Sequence, residues 1–389
     1  MTRKLYWEDS YATEFTAKIE FIEKEGIVLD KTLFFPLSGN QASDKGILIH
    51  QKGQSTVDSV SIHKDKIFHQ VSSEFKKKVK IGDTITGKID WEYRYGIMRA
   101  HTSQHIFSAI FLDLYNAKTS RANIEFEEVS IQLDRHLDDS QIIEGVKKIN
   151  EICTFNKKPI TARSFKSEEI PNLKDQIRSE IPNKDKIRLI EIEDLDLVCC
   201  GGTHLNYSTE VGPIVLTESK KGSEIRYYVG LKAIELLTKL NIELLNFADR
   251  ISTPLIKIEK RLQKFVDEAE NIKLLLNKLK EANLRLISNN PMFICNDFRG
   301  YIIDFSIENK ILKKILDDFP SNSIIVIVLG NKRYQVISNT KKVSANSIIQ
   351  GLIKKYGGKG GGSAFMAQAG FDQDLEDLEG TICEILNIS

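Results

Sequence analysis

Up to residue 90 the apolar positions come in short alternating runs. Phe15 to Phe21 alternates loosely, and Gly26-Ile27-Val28-Leu29 follows a turn. Ile47 to His50, Val57 to Ile62, Lys66 to Gln70 and Thr84 to Ile89 repeat the pattern. Turn-forming groups separate them: Ser38-Gly39-Asn40, Lys52-Gly53, Lys64-Asp65 and Ile81-Gly82-Asp83. Short strands at this spacing predict a small β-barrel.

From Trp91 the period lengthens. Residues 94–115 lack proline, and Ile97, Ala100, Ile106, Ala109, Ile110 and Leu114 sit near helical spacing. A second helix is predicted over 141–153, and strands over 160–163, 187–192, 214–218 and 225–229. This region is an α+β unit. Residues 231–251 read as helix until Pro254 interrupts. Then Ile258, Leu262, Phe265, Ala269, Ile272, Leu276, Leu279, Asn283 and Leu286 alternate steps of four and three. A coiled-coil seam between two chains produces that pattern, and so does a helix packed on 231–251 within one chain. Beyond 291, strands are predicted at 301–305, 324–328 and 334–338, and helices at 343–355 and 373–386. A glycine cluster, Gly357-Gly358-Lys359-Gly360-Gly361-Gly362, lies between those helices. The class is α+β, with a β-barrel domain (1–90), an α+β domain (91–230), a helical arm (231–290) and a C-terminal α/β domain (291–389).

Charge changes this picture in one place. The 389 residues carry 55 Lys+Arg and 54 Asp+Glu, a net charge of +1. That balance excludes a uniformly basic nucleic-acid coat. Between Asp318 and Asp372, however, no acidic residue occurs, and seven Lys and Arg do, so the rest of the chain sums to −6. The five cysteines are odd in number and scattered, which favours a reducing cytoplasm over a disulfide framework. The N-terminus has no apolar signal core, and no run approaches a membrane span.

The candidate chemistry is a metal site. His101 and His105 form H-x-x-x-H, which on a helix places both rings on one face. Cys200 and His204 form C-x-x-x-H around Gly201 and Gly202, which suit a tight turn. Thiolate and imidazole ligands select Zn²⁺ over Mg²⁺ or Ca²⁺, so one zinc ion per chain is expected. His50, His63, His69 and His136 lack such partners.

At these residues the chain resembles the editing domains of alanyl-tRNA synthetases and the free-standing alanyl-tRNA editing proteins of the long form. The stretch IDWEYRYGIMRAHTSQHIFSAIF (89–111) is similar to the family's lead into H-T-x-x-H, and CGGTH (200–204) matches its second metal motif. FFPLSGNQASDKG (34–46) resembles the glycine-rich motif of the preceding barrel. GGKGGGSAFMAQAG (357–370) resembles the C-terminal domain, which some phosphoesterases share. Ser38 and Asn40 interrupt the barrel motif, and Ser363 stands where arginine is usual. No Asp-His-His motif occurs, so phosphoesterase chemistry lacks its metal ligands. The barrel begins almost at Met1, and no class II aminoacylation domain is expected.

The resemblance implies a cytoplasmic trans-editing hydrolase that cleaves the ester of mischarged tRNA(Ala). Ser-tRNA(Ala) is the implied substrate and Gly-tRNA(Ala) a second one. An alanine pocket cannot strongly reject one added hydroxyl, whereas a second site can use that hydroxyl. His101, His105, Cys200 and His204 are the implied zinc ligands. Thr102, Gly202 and Thr203 are expected on the substrate side, and Gly39, Asn40, Gln41 and Asp44 near the pocket. Lys354, Lys355, Gly358, Lys359, Gly360, Gly361 and Gly362 are expected to contact tRNA phosphates. A homodimer through the arm or the C-terminal domain fits the heptad. Two other readings remain open: a non-catalytic zinc-bearing RNA-binding protein, and an enzyme for another mischarged tRNA such as Ser-tRNA(Thr).

Overall fold

The computed structural model describes residues 2–388, in two compact units, Met1–Phe247 and Ala248–Ser389. In the first unit, β1 (Arg3–Lys4) pairs in parallel with β4 (Lys31–Thr32). The strands β2 (Glu14–Ile22), β3 (Ile27–Leu29), β5 (Gly46–His50), β6 (Gly53–Val57), β7 (Val60–His63), β8 (Lys66–His69) and β9 (Thr84–Ile89) form one antiparallel sheet. Its order is β6-β5-β9-β2-β3-β8-β7, a nearly closed sheet around Phe15, Ile19, Leu29, Phe34, Leu48, Val57 and Ile85. Besides the two-residue strands β1 and β4, two longer elements escaped the hydrophobic pattern. β6 buries only Ser55 and Val57, too few apolar positions to register as alternation. The short helix α1 (Ser73–Lys78) is nucleated by its Ser72 N-cap and buries only Phe75.

The helix α2 (Trp91–Tyr115) starts where Asp90 accepts from the Tyr93 N–H, and ends at Asn116 in the left-handed region. From Ala100 to Phe111 every residue is buried. A helix enclosed on all sides must find partners for each polar side chain it carries, and this one carries six within that span. Around it come β10 (Thr119–Glu125), β11 (Glu128–Leu133) and α3 (Asp139–Thr154), then β12 (Ile160–Lys166), β13 (Lys186–Ile192) and β14 (Asp196–Cys199). β15 (Ile214–Lys220), β16 (Glu224–Val229) and α4 (Gly230–Arg250) follow. Two antiparallel sheets result, β10-β11-β16-β15 and β12-β13-β14. β10, β11 and β14 were not expected; β10 buries a single side chain, Ile124, so its sequence shows no apolar alternation. A 3₁₀ segment, Ser167–Gln176, covers the three-stranded sheet through Ile170, Ile177, Ile187 and Leu189.

In the second unit the heptad forms α5 (Ile258–Ser288), one helix of 31 residues. Its seam residues Leu262, Ile272, Leu276, Leu279 and Leu286 are exposed in the single chain. β17 (Phe293–Cys295), β18 (Phe298–Ile303), α6 (Asn309–Ile315), β19 (Ser323–Gly330), β20 (Arg333–Asn339), α7 (Ala345–Tyr356), β21 (Lys359–Gly362), β22 (Met366–Gly370) and α8 (Leu378–Ile388) complete it. The sheet order is β17-β18-β19-β20-β22-β21, with β18 and β19 parallel. The glycine cluster is therefore partly an edge strand rather than a plain turn. A Cβ at Gly360 would lie 2.3 Å from the Gln368 carbonyl, and one at Gly362 would lie 2.4 Å from that of Met366, so close pairing with β22 demands glycine there.

Candidate metal centre

The helix α2 sets the first half of the centre. His101 and His105 are one turn apart on the buried stretch, with ring centroids 5.0 Å apart. The second half comes from the turn after β14. Antiparallel pairing of β13 and β14 ends with Cys200 N–H donating to the Arg188 carbonyl. The Arg188 guanidinium then donates to the carbonyls of Cys200 (2.9 Å) and Gly202 (2.8 Å), which holds the CGGTH turn in shape. Trp7 adds a 2.7 Å hydrogen bond from Nε1 to the Gly201 carbonyl.

The four donors converge. Cys200 Sγ lies 3.4 Å from His101 Nε2 and 3.3 Å from His204 Nε2, and one ligand atom from each of the four residues lies within 4.8 Å of the others. Tetrahedral zinc with ordinary Zn–S and Zn–N bonds places sulfur and nitrogen roughly 3.5 Å apart. The geometry and the donor chemistry both fit zinc.

Protonation states agree with ligation. Burial, then the neighbouring imidazoles and Arg188, push His101 and His204 well below the usual histidine range. His105 is pushed down to about 3, by burial first and then by Arg178 and Arg188. All three rings are neutral at pH 7, as a metal requires. Burial pushes the Cys200 thiol up to about 11, against the opposing Gly202 N–H and Arg188. A cation in the cluster is what would turn that thiol into a thiolate.

Each ring also has a neighbour behind it. His101 Nδ1 donates to Gln41 Oε1 at 2.6 Å. The same oxygen accepts from the Thr203 N–H at 3.2 Å, and Gln41 Nε2 donates to Thr203 Oγ1 at 3.0 Å. His204 Nδ1 lies 3.2 Å from Thr102 Oγ1, which also accepts from the Leu205 N–H. With Nδ1 protonated, Nε2 of each ring stays free for a metal. His105 Nδ1 faces Asp196 Oδ2 at 3.7 Å.

The other predicted residues fall as follows. Thr102, Gly202 and Thr203 are buried against the His/Cys cluster. Gly39 and Asn40 form the exposed left-handed turn that delivers Gln41, and the Asn40 carbonyl accepts from Ile124 N–H. Asp44 is engaged elsewhere, in a fully buried ion pair with Arg94 and a hydrogen bond from Phe35 N–H. In the second unit, Lys354 and Lys359 are exposed, while Lys355 is held by Glu384 (2.7 Å) and Thr381 (3.1 Å). Arg188, Arg178, Asp196 and Trp7 were missed. They belong to no motif, and only the β13–β14 register and the loop folds bring them in.

Three known families match parts of the chain. Residues 8–93 match the family of tRNA synthetases class II (A), residues 187–227 the threonyl and alanyl tRNA synthetase second additional domain, and residues 296–387 the DHHA1 domain. An alanyl-tRNA editing protein, AlaX-L, from Pyrococcus horikoshii is 27% identical over 97% of this chain and 96% of its own. An alanine–tRNA ligase from Sulfurisphaera tokodaii is 28% identical over 99% of the chain, and one from Saccharolobus islandicus is 27% identical over 92%. The chain spans 44% and 41% of those two ligases.

Proposed function

We propose, for a chain that belongs to the alanyl-tRNA editing family and aligns with its long form nearly end to end, that it hydrolyses the ester of mischarged tRNA(Ala). The observation that carries the reading is the convergence of a Cys and three His from two motifs 99 positions apart. Ser-tRNA(Ala) is the principal substrate in this reading, with Gly-tRNA(Ala) a second. One zinc ion per chain is bound by His101, His105, Cys200 and His204. Zinc held there would supply a Lewis-acid contact for the ester carbonyl if one of the four ligands exchanged for it, or otherwise a fixed point that positions the substrate.

The chain's own residues shape the rest. Gly202 keeps the wall of the centre free of a side chain where His101 and Gln41 already pack. Thr102 and Thr203 border the ligands, and we assign them the substrate side, where a hydroxyl-bearing residue is read by hydrogen bonding. Lys354, Lys359 and the glycines 358 and 360–362 contribute phosphate contacts, supported by the acid-free window between Asp318 and Asp372. The exposed leucines of the α5 seam support a homodimer through the arm. Among the described residues no helix is long and apolar enough to cross a membrane.

The test is a paired deacylation assay of Ser-tRNA(Ala) against Ser-tRNA(Thr), with zinc content measured. Zinc-dependent release of serine from tRNA(Ala), at least tenfold faster than from tRNA(Thr), is expected. Binding of tRNA without release would leave a non-catalytic RNA-binding protein. Preference for tRNA(Thr) would move the substrate.

A further inference from the structure

We propose that Asp196 is a positioning residue for His105, held in place by Arg178, and that this pair sets how tightly the centre grips its metal. The inference rests on the metal reading above, and the observation behind it is an asymmetry among the three rings. His101 Nδ1 has Gln41, at 2.6 Å, and His204 Nδ1 has Thr102, at 3.2 Å. His105 Nδ1 is a buried side-chain nitrogen with no hydrogen-bond partner among the described residues. The acceptor facing it is Asp196 Oδ2, at 3.7 Å, and both side chains are almost completely buried.

A carboxylate so buried needs a paired charge. Arg178 supplies it as a two-pronged clamp, Nε to Oδ1 at 2.7 Å and Nη2 to Oδ2 at 2.8 Å. Asp196 opens β14, four positions before Cys200, so the strand that delivers the thiol also aims the carboxylate. Arg178 sits just past the 3₁₀ segment and is fastened by its own N–H to the Leu197 carbonyl at 2.9 Å. The 3₁₀ segment and the loop after it are thereby tied to the centre.

A ring that gives Nε2 to a metal binds best when its Nδ1–H has a fixed acceptor. Closing a gap of 3.7 Å to hydrogen-bond length takes only a small movement of the ring. Asp196 would then do for His105 what Gln41 and Thr102 do for the other two rings.

The test measures zinc affinity by chelator competition, with no substrate involved. Metal content of the wild-type protein is measured first; a wild type that takes up no zinc sinks the metal reading itself, separately from this proposal. Given a zinc-binding wild type, Asp196→Asn is expected to weaken zinc 10- to 100-fold, Arg178→Gln to weaken it by less, and Asp196→Glu to recover part of the loss. Were the pair only a clamp on the fold, Asp196→Asn and Arg178→Gln would fall together. Equal losses, or wild-type affinity in Asp196→Asn, overturn the proposal. A second measurement needs no substitution. In zinc-loaded wild-type protein with ¹⁵N-labelled histidine, the His105 Nδ1–H resonance is expected far downfield and slow to exchange. A fast-exchanging or absent resonance overturns the proposal even if a variant fails to fold.

Discussion

Gln41 Oε1 accepts a 2.6 Å hydrogen bond from His101 Nδ1, so a residue of the β-rich N-terminal region fixes a ring of the candidate metal centre. The same amide exchanges two hydrogen bonds with Thr203 and so joins both metal motifs at one point. Gln41→Leu keeps the size and deletes all three bonds. It is expected to weaken zinc binding about ten- to a hundredfold, read by chelator competition. Undiminished zinc affinity would show that the contact is incidental.

Gly202 and Gly201 are neighbours with opposite expected tolerance. A Cβ at Gly202 would stand 2.2 Å from His101 Cε1 and 2.4 Å from Gln41 Oε1, whereas the nearest atom to one at Gly201 is Trp7 Cζ2 at 3.9 Å. Gly202→Ala must therefore displace the His101 ring or its Gln41 support. It is expected to lose stoichiometric zinc and deacylation together, while Gly201→Ala keeps both within about twofold, the effect of a tolerated surface change. Metal analysis of the two purified variants decides it. A fully loaded Gly202→Ala protein would contradict the packing argument.

His69 provides a pH dependence away from the centre. Its ring is fully buried in the sheet, with Nδ1 donating to the Ile27 carbonyl and Nε2 accepting from Thr32. Burial lowers its pKa to about 4, with the Ile27 contact opposing. The unfolded chain, with an ordinary histidine near pH 6.5, therefore binds more protons in this interval. The stabilisation is complete above about pH 6.5 and is lost as the pH falls toward 4; the shift corresponds to roughly 3 kcal/mol. Urea midpoints of wild type and His69→Gln, both zinc-loaded, should converge as the pH drops through that window. A pH-independent difference would mean that His69 is neutral in the unfolded chain as well, or charged in the folded one.

Asp44 and Arg94 form an ion pair with no solvent exposure on either side. Arg94 also donates to the carbonyls of Ser10 and Leu33, so it fastens α2 to the N-terminal strands. Asp44→Ala leaves a guanidinium buried without its counter-charge, and about 3–5 kcal/mol of stability should go with it. Chemical denaturation measures this, and a loss under about 1 kcal/mol would show that water reaches Arg94. A zinc titration of the surviving folded protein separates this effect from a direct role in the metal pocket.

The four clustered side chains were legible because each pair carries its own spacing: four residues along a helix for His101 and His105, and a glycine turn for Cys200 and His204. The helices α2 to α5 were legible because apolar periodicity survives burial. β10 was not, because its seven residues bury a single side chain and read as loop. The supports of the centre were equally silent. Asp196 and Arg178 are 18 residues apart in an unremarkable sequence and meet only because the 3₁₀ segment folds back over the three-stranded sheet. Gln41 was visible only as part of a motif, and nothing in the spacing said that it would bind a histidine rather than a substrate.

The basic window in the second unit offers a graded test. Lys354 and Lys359 are exposed, whereas the Lys355 ammonium donates to Glu384 at 2.7 Å and to Thr381 at 3.1 Å. An ammonium already paired gives less to a phosphate, because the existing contacts must first be broken. Lys354→Ala and Lys359→Ala are therefore expected to weaken tRNA binding several-fold each. Each should also reduce the slope of log affinity against log salt by about 0.7–0.9, the value of one released counterion. Lys355→Ala should change the slope by less than half of that. Binding measured at four salt concentrations gives all three slopes. If the three lysines contribute equally, the Glu384 pair opens on binding; if none changes the slope, the phosphate contacts lie outside this window.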